Sequence, residues 1–200
     1  MRRGVVLVVS APSGAGKTTL CRKLIAKDPL ISFSVSYTTR PPRPNERNGT
    51  DYFFVSKETF QKMIDEGAFL EWAEVYGNFY GTAKAQVENA IKEGKDVLLD
   101  IDVQGAFQVR EKLGRDAVLV FVLPPSFETL FQRLKARGTE DEMTLRKRLA
   151  AAKEEILRAK AFDYLVLNDN LEEAFEELYS ILRAERQKTF RREDLLARFF

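Results

Sequence analysis

The chain has 200 residues, 44% hydrophobic and 31% charged, with a formal net charge of +2, one cysteine and no histidine. That length carries one domain, or one domain with inserted excursions, around a sizeable core. The near-neutral balance supplies no global field for nucleic acid or an anionic membrane, the lack of histidine excludes imidazole metal ligation and acid–base chemistry, and no stretch approaches the roughly 18 apolar residues of a membrane span.

Residues 5–9 form an unbroken run, Val5, Val6, Leu7, Val8 and Val9, which predicts a short strand buried on both faces of a parallel sheet. The preceding Met1-Arg2-Arg3-Gly4 imitates a secretory leader. The apolar run is too short for one, and a glycine loop begins where a cleavage site would lie, so no leader is expected. Ala11, Pro12, Ser13, Gly14, Ala15, Gly16, Lys17, Thr18 and Thr19 then lead into a helical pattern through Leu20, Cys21, Leu24 and Ile25. Strand, glycine loop, Gly-Lys-Thr and helix in that order is the signature of a phosphate-binding P-loop. Glycines let backbone N–H groups converge on an anion, and the helix start adds unpaired donors and a positive dipole end. Lys17 supplies a mobile charge for the β- and γ-phosphates, and the Thr18 hydroxyl can reach Mg²⁺. The strict pattern G-x-x-x-x-G-K-[ST] has Ala11 where its first glycine belongs. Because Ala11 precedes Pro12 it is pushed to extended backbone, where glycine is not needed. Cys21 falls on the apolar stripe of the first helix, so core packing is its expected role. As the lone cysteine it permits no intrachain disulfide, which suits the cytosol.

Asp28-Pro29 marks a turn, and residues 31–37 alternate like a strand. Thr38-Thr39-Arg40-Pro41-Pro42-Arg43-Pro44 is a stiff, non-helical loop carrying two arginines. Asn48-Gly49 signals a turn, 52–55 a strand, and Ser56 an N-cap for a short helix ending near Gly67. Residues 69–76 and 79–82 read as strands joined at Gly77-Asn78. This consecutive-strand block, 33–82, is antiparallel or mixed and stands apart from the α/β alternation around it.

That alternation resumes with a helix over 83–93, a strand over 97–102 (VLLDID), a helix over 103–113 and an apolar strand over 118–123. Pro124-Pro125-Ser126 opens a helix that Gly138 ends, and a charged helix follows over 143–159. Residues 164–167 form the last strand, and Leu171, Ala174, Phe175, Leu178, Ile181 and Leu182 mark an amphipathic closing helix. The fold class is α/β: a P-loop parallel sheet with helices on both faces, carrying two excursions, one near 33–82 and a charged helical pair near 126–160.

Read together, SAPSGAGKTTL, SVSYTTRPPRPNERNGTDYFFVS, FLEWAEVYGNFYGT, VLLDIDVQGA and RLKARGTE followed by KRL resemble the guanylate kinases, over nearly the whole chain. The resemblance implies transfer of the ATP γ-phosphate to GMP and dGMP, with Mg²⁺, by a cytoplasmic enzyme. It implies a core domain (1–32, 83–125 and 161–200), a GMP-binding subdomain inserted at 33–82, and a lid at 126–160. ATP and GMP would be the partners, with no nucleic acid and no membrane; monomer and homodimer both remain open. It makes the nine residues Ala11 to Thr19 and Asn168 the ATP site, with Asn168 on the adenine side. Arg40 and Arg43, with Tyr52 following, become the clamp on the GMP phosphate, where guanidinium forks suit phosphate, and Ser36 and Tyr80 face the same nucleotide. Glu71, Thr82 and Asp102 would read the base, since guanine presents N1–H and N2–H as adjacent donors to a carboxylate and O6 to a hydroxyl.

Asp100 ends an apolar strand, where a P-loop fold usually holds Mg²⁺ through water, and the resemblance supports that place. Read on one strand, Asp100 and Asp102 share a side. Arg133 and Arg137 lie one helical turn apart, and with Arg148 the resemblance makes them lid arginines that join Lys17, Arg40 and Arg43 in catalysis. Arg146, Lys147, Arg158 and Lys160 read as solvated helix faces. Two competing readings are a guanylate-kinase-like binding module without catalysis and a P-loop kinase for another phosphate ester, such as a ribose bisphosphate. Gly16, Lys17 and Thr18 argue against the first, and Glu71, Tyr80 and Thr82 against the second.

Overall fold

The computed structural model describes residues 2–75, 77–136 and 142–200, and of Glu142 the backbone alone. Five parallel strands form the main sheet: β1 (Val6–Ser10), β2 (Ile31–Phe33), β7 (Asp96–Asp100), β8 (Ala117–Leu123) and β9 (Tyr164–Leu167), in the order β2-β7-β1-β8-β9. β1 is central because its two faces meet two cores. Leu7 and Val9, with Val5 just before the strand, pack against Leu20, Leu24, Phe175 and Leu178 of α1 (Lys17–Lys27) and α7 (Leu171–Glu185). Val6 and Val8 pack against Val87, Ile91, Ala106 and Val109 of α3 (Lys84–Lys92) and α4 (Val103–Leu113). A strand buried on both sides must be apolar at every position, as 5–9 is. Cys21 is buried in the first of these cores.

A second, four-stranded sheet is mixed: β3 (Tyr37–Thr38), β4 (Phe53–Phe54), β5 (Phe69–Val75) and β6 (Asn78–Ala83), in the order β4-β3-β6-β5. β3 pairs parallel to β4 and antiparallel to β6, and β6 pairs antiparallel to β5. Its outer face packs on α2 (Lys57–Asp65), which Ser56 caps by accepting from Thr59 N. Phe60 of α2 stacks on Phe69 at 4.4 Å and on Phe79 at 5.5 Å. The stretch 31–37, which alternates like one strand, is divided between the two sheets. Ile31–Phe33 pairs with β7, and Tyr37–Thr38 belongs to the small sheet, with the chain crossing between them at 34–36. Alternation alone cannot locate such a crossing, since both halves keep the same period.

α5 (Phe127–Ala136) and α6 (Glu142–Arg158) pack on each other through Leu130, Leu134 and Ala152, with Leu145 and Leu149 against them. This cluster is separate from the sheet cores. Beyond α7, a turn of 3₁₀ helix at Thr189–Arg191 precedes a short α8 (Glu193–Leu196). Arg191 is fully buried there, with Nη1 donating to Gly4 O at 2.6 Å and Nη2 to Asp116 O at 3.0 Å. The loops after β1, β7, β8 and β9 all leave the carboxyl edge of the main sheet, where open α/β folds place their ligands.

Candidate active site

The P-loop lies where the sequence puts it, between β1 and α1. Gly14 and Gly16 have φ of 92° and 90°, a left-handed region that L side chains rarely adopt. Gly16 is the N-cap of α1, so the helix opens with no side-chain cap and its first donors face the loop. Asn168, which the resemblance places beside adenine, turns inward: it is buried, its Nδ2 donates to Ala15 O at 2.7 Å, and a Cβ on Gly16 would collide with it. It braces the loop and also lines a cavity of about 440 Å³ with Gly14, Gly16, Thr19, Arg133 and Asp169. Of the three arginines that the resemblance assigns to the lid, Arg133 shares this cavity with the P-loop glycines. Arg148 is half-buried on α6, and Arg137 lies outside the described residues.

At the loop mouth Lys17 Nζ is 2.7 Å from Asp100 Oδ1 and donates to Ile101 O at 3.1 Å. Thr18 Oγ1 lies 3.4 Å from Asp100 Oδ2. Asp102 does not continue the strand alongside Asp100: β7 stops at Asp100, and Asp102 caps α4, its carboxylate accepting from Gly105 N at 2.7 Å. The apolar run carried the strand reading too far, because a carboxylate three residues before a helical N–H is a cap.

The small sheet supplies the other half of the site. Arg40 lies 5.5 Å from the Tyr52 ring centre, and hydrogen bonds to Glu46 first and Tyr80 second raise its pKa against burial. Its guanidinium forks onto Glu46 at 2.8 and 3.0 Å, and Glu46 also accepts from Arg43 N at 2.8 Å. Glu46 was not singled out from the sequence, although it ends the proline-stiffened arginine loop; its task shows only when the loop folds back on itself. The Arg43 side chain is exposed, and Ser36 is half-buried beside β3 with its carbonyl accepting from Phe53 N at 2.9 Å. Burial raises the Tyr52 pKa, and the charges of Tyr80 and Asp100 add to it, so the two halves of the site lie within each other's field. Glu155 of α6 is a second residue missed in the sequence: burial raises its pKa against the nearby Lys17 charge.

Glu71 is 3% exposed and accepts from Thr82 Oγ1 at 2.5 Å. A β-bulge between Phe69 and Glu71 aims it. Phe69 and Trp72 both join the aromatic cluster on the α2 face, Phe69 through Phe60 and Trp72 through Phe79, although strict alternation would put them on opposite faces. The extra residue turns Glu71 and its cross-strand partner Thr82 away from that face, toward α4. The Glu71 carboxyl is pushed up to about 7: burial raises it most, Thr82 pulls it back and the Asp102 charge adds to the rise.

Comparison with known proteins shows the family. The guanylate kinase family model matches residues 2–185. The chain belongs to the guanylate kinase family. A guanylate kinase of Sphingopyxis alaskensis is 51% identical over 195 residues, which is 98% of this chain and 89% of that one. One from Symbiobacterium thermophilum is 52% identical over 189 residues, 94% of this chain and 89% of that one. The crystal structure of guanylate kinase from Anaplasma phagocytophilum superposes with a TM-score of 0.81 at 38% identity, covering all of this chain and 97% of that chain. This guanylate kinase family member is thus a kinase with the P-loop fold, and among the described residues no helix is long and apolar enough to cross a membrane.

Proposed function

We propose that the chain transfers the γ-phosphate of ATP to GMP and dGMP, with residues 1–32, 83–125 and 161–200 as the core, 33–82 as the GMP-binding subdomain and 126–160 as the lid. The observation that carries this reading is the bulge that turns Glu71 and Thr82 toward the first turn of α4, in a chain that also carries the Gly16-Lys17-Thr18 end of a P-loop. ATP lies along Ala11 to Thr19, with Asn168 and Arg133 beside the cavity at Gly14 and Gly16. Lys17, held at the loop mouth by Asp100, presents its charge to the β- and γ-phosphates. Arg40, steadied by Glu46, grips the GMP phosphate together with Arg43, Ser36, Tyr52 and Tyr80. The base is read by Glu71, Thr82 and Asp102. Arg133, Arg137 and Arg148 close over the transferring group, where exclusion of water strengthens every charge. Two anionic nucleotides repel each other, and this ring of cations offsets that repulsion.

Thr18 Oγ1 and Asp100 Oδ2 are hard oxygen donors side by side at the loop mouth, a donor set that suits Mg²⁺ sharing its shell with phosphates and water. Thr18 would hold the ion directly and Asp100 through water. When bound it neutralises phosphate charge. The enzyme works in the cytosol, which the buried lone Cys21 suits, as monomer or homodimer.

A coupled assay with GMP, dGMP, AMP, UMP and a ribose phosphate tests the reading, with Glu71→Ala beside the wild type. Adenine has an unprotonated N1 where guanine has N1–H, and a site built for the donor discriminates by roughly 10⁴-fold. GMP and dGMP are expected to be used alone. Glu71→Ala is expected to raise the KM for GMP strongly, lower kcat less and leave ATP affinity near normal. Equal use of AMP or of the ribose phosphate would sink the reading. A mutant that keeps its KM for GMP and its discrimination would make Glu71 an ordinary strand residue.

A further inference from the structure

α4 runs along the free edge of β5, the outermost strand of the small sheet. Three positions on one stripe of the helix, Gly105, Gln108 and Lys112, face that edge. Gln108 clasps both backbone groups of Trp72, accepting from its N–H at 3.1 Å and donating to its carbonyl at 2.9 Å, and Lys112 Nζ donates to Phe69 O at 3.2 Å. Polar groups that an edge strand would otherwise leave open are thus used to draw the guanine-reading strand onto the core.

Gly105 is the third position of this stripe, in the first turn of α4, and its φ is not in the left-handed region. Its backbone conformation therefore does not require glycine, and alanine is the better helix former. What requires it is space. A Cβ at Gly105 would stand 2.7 Å from Glu71 Oε2 and 3.2 Å from Asp102 Oδ1. The first is closer than real Cβ atoms come, and both are carboxylate oxygens of the residues assigned to the base.

We infer that Gly105 is a specificity-determining position: its missing side chain makes the room in which the Glu71 carboxylate is held against the start of α4 for guanine. The inference rests on the reading of Glu71 as the base acceptor and goes beyond it. Gly105 does not touch the nucleotide; it is a positioning residue that acts through Glu71. The atom a methyl group would displace first is the far end of a flexible side chain, so the fold accommodates the methyl and the carboxylate gives way.

The test is a double-mutant cycle on the full-length chain, with Gly105→Ala, Glu71→Ala and both together. Gly105→Ala is expected to unfold at or slightly above the wild-type temperature. Its KM for GMP should rise on the order of tenfold, the equivalent of one hydrogen bond to a charged acceptor. Its KM for ATP and its kcat at saturating GMP should stay within about twofold of wild type, a split that a merely structural defect would not produce. In the Glu71→Ala background Gly105→Ala should add little, because the oxygen it meets most closely is gone and only the milder Asp102 contact remains. That background also removes the closest contact, so comparing the double mutant with Glu71→Ala shows whether the methyl does harm of its own even where the single mutant folds poorly. If Glu71→Ala raises the KM for GMP while Gly105→Ala leaves it unchanged, or if the two effects add in full, the role of Gly105 is overturned and that of Glu71 stands. If Glu71→Ala itself leaves the KM unchanged, the underlying reading fails first.

Discussion

The two ends of the main sheet use carboxylates in opposite ways. At the amino edge three buried aspartates each have an arginine. Asp96, at the start of β7, takes Arg2 at 2.6 and 2.8 Å, Arg186 Nε at 2.6 Å and the backbone N–H of Val5 at 2.8 Å. Asp28 takes Arg186 Nη1 at 2.6 Å, and Asp116 takes Arg3 Nε at 2.7 Å with Arg191 close by. Near the carboxyl edge Glu71, which reaches α4 from the small sheet, is as deeply buried as these acids, yet among the described residues no ion pair holds it: it takes the Thr82 hydroxyl and backbone N–H, with the Lys112 charge a weaker influence. An acid satisfied by its own chain lends its charge to stability; one left without a cation is available to a ligand that brings donors. The protonation equilibria diverge accordingly. Burial alone would raise the Asp28 pKa, but the Arg186 hydrogen bond, the Leu30 N–H and the Arg186 charge together bring it below the ordinary value. Glu71 moves the other way, up to about 7.

Breaking the amino edge should have the largest effect, and on stability alone. Among the described residues, Arg186→Ala takes the only arginine from buried Asp28 and one of two from Asp96, and removing one partner from a buried pair costs roughly 3–5 kcal/mol. Chemical denaturation should show that loss while kcat per folded molecule stays at the wild-type value. A mutant as stable as wild type would mean that the amino edge is no more than a solvated charge cluster.

Lys17→Ala should do the reverse. Losing a transition-state contact of about 3–4 kcal/mol slows transfer roughly 10²–10³-fold, with the melting temperature nearly unchanged. Near-normal activity in the folded mutant would remove Lys17, and with it the P-loop assignment, from the chemistry.

The smallest effect, and the sharpest contrast, is in pH. Glu71 has a folded pKa above its unfolded value of 4.5, so its contribution to stability is present below 4.5 and lost as pH rises to about 7. Asp28 has a folded pKa below its unfolded value of 3.8, so its contribution is present above 3.8 and lost as pH falls through the lowered value. Guanine's two N–H donors need the ionised Glu71, so GMP affinity should climb on the order of tenfold between pH 6 and 8. Glu71→Gln should flatten the Glu71 share of that climb. Calorimetry at several pH values would read both; a climb of the same size in Glu71→Gln would assign it to another group, such as the phosphate.

Local chemistry made much of this protein legible before any coordinates. The run 5–9, the glycines before Lys17 and Thr18, Ser56 ahead of α2, and α4 at its observed bounds all rest on interactions within a few residues of chain. So do the Arg40 and Arg43 loop and the apolar face of α7. Tertiary structure alone decided where neighbouring segments part or meet. It divided 31–37 between two sheets, made Asp102 a helix cap rather than a strand residue, and set Glu46 on Arg40. Above all it placed the bulge that turns Glu71 away from Phe69 and the bare Gly105 that receives it. Alternation has the same period on either side of a bulge, and a glycine in a helix shows nothing of the carboxylate across from it. Both are decided by contacts between residues far apart in the chain, which no short window of sequence contains.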